Sequence, residues 1–396
     1  GSSKLSPAQE SERLFPDPFP STYAPFESQT TIIQNVTLLT GTGERIDDGS
    51  IVMQNGLIAE IGVDVTMPQG AFVIDGTGMW VTPGIIDTHS HVGTFGDSPY
   101  ADAQDDGNEA TDPNTAEVWI EHSIWPHSPV FGLALEGGVT SLHTLPGSAN
   151  LFGGRGVTLK NVPARTVQDM KFPGAPHGLK MACGENPKRF YSSKNKLPST
   201  AMGNMAGYRA GWIKAEKYLR KWQKWWDDGS PPEAMPDRDL QSETLAAVLV
   251  GEVLIQNHCY RADEMVNMIN LSKEFDYKIS SFHHAVEAYK IRDYLAENDI
   301  CSSMWGSGAY GFKLESYDGI EENVALVHKA GACAIVHSDD AMEMQRLNQH
   351  AAVAMRAARE EGIEITPEEA IMWITHNPAK ALGISVRVGS LISGMM

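Results

Sequence analysis

The chain has 396 residues and a formal net charge of −19, from 31 basic and 50 acidic side chains, with 42% apolar and 20% charged residues. That apolar share supports a large core and excludes global disorder. The acidic balance argues against nucleic acid or an anionic membrane as a bulk partner, and no apolar run approaches the roughly 20 residues that span a bilayer.

Residues 1–30, rich in Pro, Ser and Phe without a period, read as an extended arm. Short alternating runs follow at Thr31–Leu39, Ser50–Gly62 and Ala71–Asp75, with Asn55-Gly56 as a hairpin turn between two of them. We expect a small β-sandwich domain over residues 31–80, formed mainly by this N-terminal segment. Beyond Trp80 the pattern changes to helices followed by strands: Pro129–Glu136 then Val139–Leu145, Ala262–Phe275 then Tyr277–His283, Val286–Asn298 then Ile300–Ser303, and Ile320–Ala330 then Ala332–His337. Such alternation builds parallel β/α units. About eight of them favour an α/β fold closed as a (β/α)8, TIM-like barrel over residues 81–383. Without a glycine-rich loop after a strand, a dinucleotide fold has no support. Residues 186–245 interrupt the rhythm with Trp212, Trp222, Trp225 and Trp226 among Lys214, Lys217, Arg220, Lys221 and Lys224. They read as an inserted amphipathic helix packed on the barrel, with a lid as the functional alternative. The four cysteines (Cys183, Cys259, Cys301, Cys333) are widely spaced, which argues against both a disulfide framework and a cysteine zinc site.

The chemistry concentrates at predicted strand ends. In Val81-Thr-Pro-Gly-Ile-Ile-Asp-Thr-His89-Ser-His91 an apolar run ends in His-x-His, and strand residues two apart share a side, so both imidazoles can reach one metal ion. Barrel enzymes place their chemistry at this C-terminal face. His258 closes another run, His283 and His284 a third, and Asp339 a fourth. Nitrogens plus one carboxylate suit zinc or a similar divalent ion, one or two per chain.

These residues resemble the amidohydrolase superfamily, in particular its imidazolonepropionase-related and Xaa-Pro dipeptidase-like group. The stretches that carry the resemblance are VTPGIIDTHSH, GSANLFGGRGVTLKNVPARTVQDMKFPGAPHGLKMACGENPKR, NHCYRADEM, FHHAVEAYKI, VHSDDA, RLNQHAA and ITHNPAKALGI, spread over nearly all of the chain from residue 31. The resemblance implies that His89 and His91 hold the more buried metal, His258 and His284 the second, and that Asp339 binds the first and handles protons. His284 is preferred to His283 because a small residue follows it; His283 then points away or touches substrate. An anionic bridge between two metals falls to Lys180, as a carboxylated lysine, or to Glu185, close beyond it; for Lys180 a rim salt bridge is the plain structural alternative. The implied reaction is metal-activated hydroxide attacking an amide carbonyl in a small substrate such as a dipeptide or N-acyl compound, with Asp339 as proton shuttle. Arg189, Tyr260, Arg261 and His283 are candidate substrate contacts. A mononuclear cyclic-amide hydrolase or deaminase is the alternative, and a non-catalytic binding barrel a remote one. Assembly as a homo-oligomer is compatible with all of these. Relatives continue past a segment like residues 384–396 into a strand that returns to the small domain, so the chain reads as truncated there. The arm and the resemblance to exported enzymes favour a periplasmic or secreted location; the expectation of unpaired cysteines leaves the cytoplasm open.

Overall fold

A computed structural model describes residues 13–95, 105–308 and 311–396. The expected arm is therefore described from Arg13 onward; its first twelve residues lie outside the described residues. Phe15 is buried against Tyr218 and Trp226, Phe15 N donates to the Glu252 carboxylate at 3.0 Å, and Lys171 Nζ lies 2.6 Å from Asp17, so the arm is fastened to the body by apolar, hydrogen-bond and ionic contacts.

Strands β1 (Thr31–Leu39), β2 (Arg45–Gln54), β3 (Leu57–Gly62), β4 (Phe72–Asp75) and β5 (Trp80–Val81) form one five-stranded sheet. β2 and β3 make the hairpin expected at Asn55-Gly56, both of which take positive φ as a type I′ turn requires. Val36, Leu38, Ile51 and Ile58 bury one face of it together with Leu391. The segment after residue 384 meets this layer: Leu391 donates to Thr40, Gly394 to Ile58, and Ile58 donates to Met395.

The second sheet runs in the order β13-β12-β11-β10-β9-β8-β7-β6. Its strands are β6 (Ile85–Ser90), β7 (Val139–Thr144), β8 (Phe152–Lys160), β9 (His177–Ala182), β10 (Val253–Cys259), β11 (Ile279–His284), β12 (Cys301–Met304) and β13 (Cys333–Val336). This is a nearly closed eight-stranded barrel. The gap between β13 and β6 is bridged where Ser338 donates to the Asp87 carboxylate and Asp339 N donates to His89 O at 3.1 Å. One strand departs from the all-parallel expectation: β8 runs antiparallel to both β7 and β9. Its Gly153, Gly154 and Gly156 hide a strand pattern. The glycine at 156 is required by packing, since a Cβ there would stand 2.4 Å from His143 Nε2 inside the barrel.

The excursion holds the long helix Ala201–Asp227, whose Tyr208, Trp212 and Trp222 are buried on the barrel, Trp212 edge-on to Phe152 at 5.4 Å. That is the amphipathic helix read from the sequence. The cysteine expectation is corrected: Cys183–Cys259 and Cys301–Cys333 are disulfides. Separations of 76 and 32 residues hide that Cys183 directly follows β9 beside Cys259 of the adjacent parallel strand β10, and that Cys301 and Cys333 are direct register partners on β12 and β13.

Candidate metal centre

The parallel strands carry their last residues to one face, as the βα connections require. There β6 presents His89, with His91 next in the chain, and the segment after β13 presents Asp339. His89 Nε2 and His91 Nε2 both stand 3.3 Å from Asp339 Oδ1. Asp339 takes φ of +52°, a conformation sparsely used outside glycine, of the kind that concentrates at functional sites. His91 Nδ1 lies 2.7 Å from Leu145 O, a carbonyl to which it donates, and this turns Nε2 toward Asp339.

His258 and His284 face the same space, with ring centroids 4.7 Å apart and His284 also 4.7 Å from His89. Neither nitrogen of His258 has a hydrogen-bond partner although the residue is buried, and His89 Nε2 is likewise without one. Burial first, and then neighbouring positive charge including Lys180, holds His89 and His258 well below the usual imidazole range; His284 is lowered by burial and by His258. They are neutral rings offering lone pairs. For Asp339, burial acts to raise the pKa and the hydrogen-bond contact with His91 to lower it, and the carboxyl is held below its usual range. Buried lone pairs aimed at one another and at an anion demand a cation, so this donor set fits a divalent metal ion.

Lys180 lies in β9, 1% exposed, and Nζ donates to Pro146 O at 2.9 Å. Burial pushes its ammonium down from 10.5 to about 7. Among the described residues the rim salt bridge considered for it is not formed; its charge acts on the ring cluster. Glu185 opens the helix Glu185–Ser192, with Arg189 at 3.7 Å and Lys313 at 4.0 Å. It sits among rim cations rather than with the histidines.

His283 is fully buried, with Nδ1 2.9 Å from His89 Nδ1 and Nε2 2.7 Å from Gln256 Oε1. Strict strand alternation fails because His284 and Ala285 take φ of +70° and +41°, which turns two consecutive imidazoles into the barrel. Tyr260 does line the site, its ring 4.9 Å from His258 and 5.2 Å from His284. Arg261 is held at 2.9 Å by Asp263, and Arg189 is largely exposed, so neither guanidinium is committed to the ring cluster.

The sequence reading missed two residues here. His337 Nε2 is 3.1 Å from His284 Nδ1; its signal was available, because His337 and Asp339 repeat the two-residue spacing of His89 and His91. Trp305 stacks on His284 at 4.3 Å, and no sequence pattern marks it. Asp17, Glu121 and His177 form another acid and histidine group, but Lys171 Nζ occupies it, 2.6 Å from Asp17 and 2.7 Å from Glu121.

No family model matches the chain. It is similar to a solved amidohydrolase from Thermotoga maritima MSB8, with TM-score 0.82 and 33% identity over 92% of each chain. It is 30% identical over 401 residues to amidohydrolase tasK of Hapsidospora irregularis, covering 92% of this chain and 40% of that protein. It is 37% identical over 97 residues to a 5'-deoxyadenosine deaminase of Methanosarcina mazei, covering 24% of this chain and 20% of that protein. This chain thus spans well under half the length of these two relatives. Near-complete two-way coverage of the Thermotoga structure, together with the barrel and its ring of histidines, carries the assignment: the chain belongs to the amidohydrolase superfamily.

Proposed function

We propose that the chain is a metal-dependent hydrolase of carbon–nitrogen bonds in small substrates, an N-acyl compound or dipeptide. The observation that carries this is the meeting of His89 Nε2, His91 Nε2 and Asp339 Oδ1 within 3.3 Å contacts, with the rings of His284 and His258 next to them across the same space. His89, His91 and Asp339 would hold one ion, zinc by donor type, and His258 and His284 a second. When bound, such an ion supplies Lewis acidity to a carbonyl and acidifies water. Asp339, kept ionised, takes the proton of the attacking water and delivers it to the leaving nitrogen. Tyr260 and Trp305 wall the site and exclude solvent from the reacting carbonyl. Lys180 is the better candidate for an anionic bridge than Glu185: a buried amine with pKa about 7 has a large neutral fraction, the form that adds carbon dioxide, whereas Glu185 is engaged by Arg189 and Lys313.

A second reading, a mononuclear cyclic-amide hydrolase or deaminase, is supported by the similarity of 97 residues of the chain to a 5'-deoxyadenosine deaminase. Metal analysis of purified protein, with a mass measurement of the carboxylated lysine and a turnover screen over dipeptides, N-acyl amino acids and cyclic amides, decides between them. Two ions per chain support the first reading, one ion the second, and none refutes both.

The five-stranded sheet serves, on this reading, as the small β-sandwich domain around residues 31–80, beside a barrel over 81–383. Among the described residues no helix is long and apolar enough to cross a membrane. Two disulfides suit an oxidising compartment, which supports a periplasmic or secreted location.

A further inference from the structure

We propose that Gln256 and His283 form a positioning relay that fixes the tautomer of His89 and so turns its Nε2 lone pair toward the metal centre. The inference rests on the metal-centre reading above and assigns His283 a role different from substrate contact.

The relay starts at the backbone. Gln256 Nε2 donates to Ala381 O at 3.0 Å, which fixes which end of the carboxamide faces inward. Its Oε1 is therefore the atom 2.7 Å from His283 Nε2. A carboxamide oxygen only accepts, so His283 Nε2 must carry a proton. The neighbours of the two ring nitrogens of His283 are this oxygen and a ring nitrogen, neither of them an anion, and the ring is fully buried. With that proton on Nε2, the ring presents Nδ1 to its other neighbour as the acceptor. His89 Nδ1 stands 2.9 Å from it. Two ring nitrogens at that distance share one proton, and only His89 is left to supply it. With its proton on Nδ1, a neutral His89 has its lone pair on Nε2, the buried atom 3.3 Å from Asp339 Oδ1 that lacks a hydrogen-bond partner.

His91 achieves the same end by donating Nδ1 to a backbone carbonyl, Leu145 O. Metal-binding histidines commonly use a carbonyl or carboxylate for this purpose. The first histidine of the pair has no such group on Nδ1 and is oriented instead through a second, neutral histidine. β10 and β11 supply the relay in register, since Gln256 pairs with Ser281, two residues before His283, and His258 pairs with His283 itself. The strands that bring two candidate ligands therefore also bring the two groups that orient a third.

The test combines tautomer assignment with zinc affinity in the full chain. Long-range proton–nitrogen NMR on histidine-labelled wild-type protein should show His89 protonated at Nδ1 and His283 at Nε2. In chelator competition, His283→Phe, which keeps the ring shape but offers no acceptor, should bind zinc about 10–100-fold more weakly, while His283→Asn, which can present an oxygen near the Nδ1 position, should recover most of the affinity. The metal-free melting temperatures of the two variants serve as the control: a merely structural role would move both variants' melting and leave the Phe-to-Asn difference in zinc affinity absent. Wild-type tautomers opposite to those stated, or equal zinc affinity in wild type and His283→Phe, would overturn the relay and leave the metal reading standing. Failure of the wild type to bind zinc would overturn both.

Discussion

Lys180 offers the sharpest test of how site chemistry is set against stability. An ammonium buried in β9 has its pKa lowered from 10.5 to about 7 by desolvation, and each unit corresponds to about 1.4 kcal/mol. Replacing it with the unbranched, uncharged side chain of Lys180→Met can therefore stabilise the metal-free protein by about 5 kcal/mol at most. The variant also leaves Pro146 O without its donor, which costs about 1–3 kcal/mol. A net gain of about 2–4 kcal/mol is expected, or about 2–5 °C in melting temperature for a chain of this length at about 2 cal/mol/K of unfolding entropy per residue. The pH dependence has a definite sign. The unfolded lysine holds its proton up to 10.5 and the folded one only up to about 7, so between these values the unfolded chain binds more protons and wild-type stability rises with pH. The advantage of Lys180→Met should thus be full at pH 7 or below, shrink as pH rises and give way to a deficit of about 1–3 kcal/mol near pH 10, where only the lost bond to Pro146 O remains. The assay is thermal melting of chelator-treated wild type and variant across that range, alongside metal content of untreated samples, where the variant should lose at least one ion. A variant that melts below wild type at pH 7, or a gap that does not close as pH rises, would refute the reasoning.

Three further outcomes follow from named contacts. Asp339→Asn should keep the fold by circular dichroism but lose turnover about 10²–10⁴-fold on any substrate the screen finds, as expected when a positioned proton carrier is removed; full turnover would remove Asp339 from that role. Thr366 Oγ1 accepts from Glu369 N while Glu369 Oε2 accepts from Thr366 N, at 3.3 and 2.8 Å, so Thr366→Ala should lower stability by about 1 kcal/mol in denaturant titration, with metal binding unchanged. The double variant Cys301→Ser with Cys333→Ser opens a link across 32 residues and should lower stability by about 4 kcal/mol on the chain-entropy account; equal denaturation midpoints for oxidised wild type and this variant would show that the link contributes nothing.

The sequence alone was enough for the alternating helix and strand units beyond residue 80, because 3.6- and 2-residue periods are local properties, and for His89 and His91, because strand alternation makes a two-residue spacing a shared direction. It was also enough for the hairpin at Asn55-Gly56 and for the helix bearing Trp212 and Trp222, both marked by local pattern. What it left undecided depends on strand neighbours. β8 was hidden because glycines that admit His143 erase its alternation. The disulfides were hidden because adjacency of β9 with β10, and of β12 with β13, exists only once the barrel is rolled. The inward turn of both His283 and His284 came from two positive φ angles at a strand end, a backbone choice that the surrounding contacts impose on non-glycine residues. Residue type and spacing therefore named most of the groups that could meet an ion; closure of the barrel decided which of them touch, and with that which nitrogen keeps its proton and which offers its lone pair.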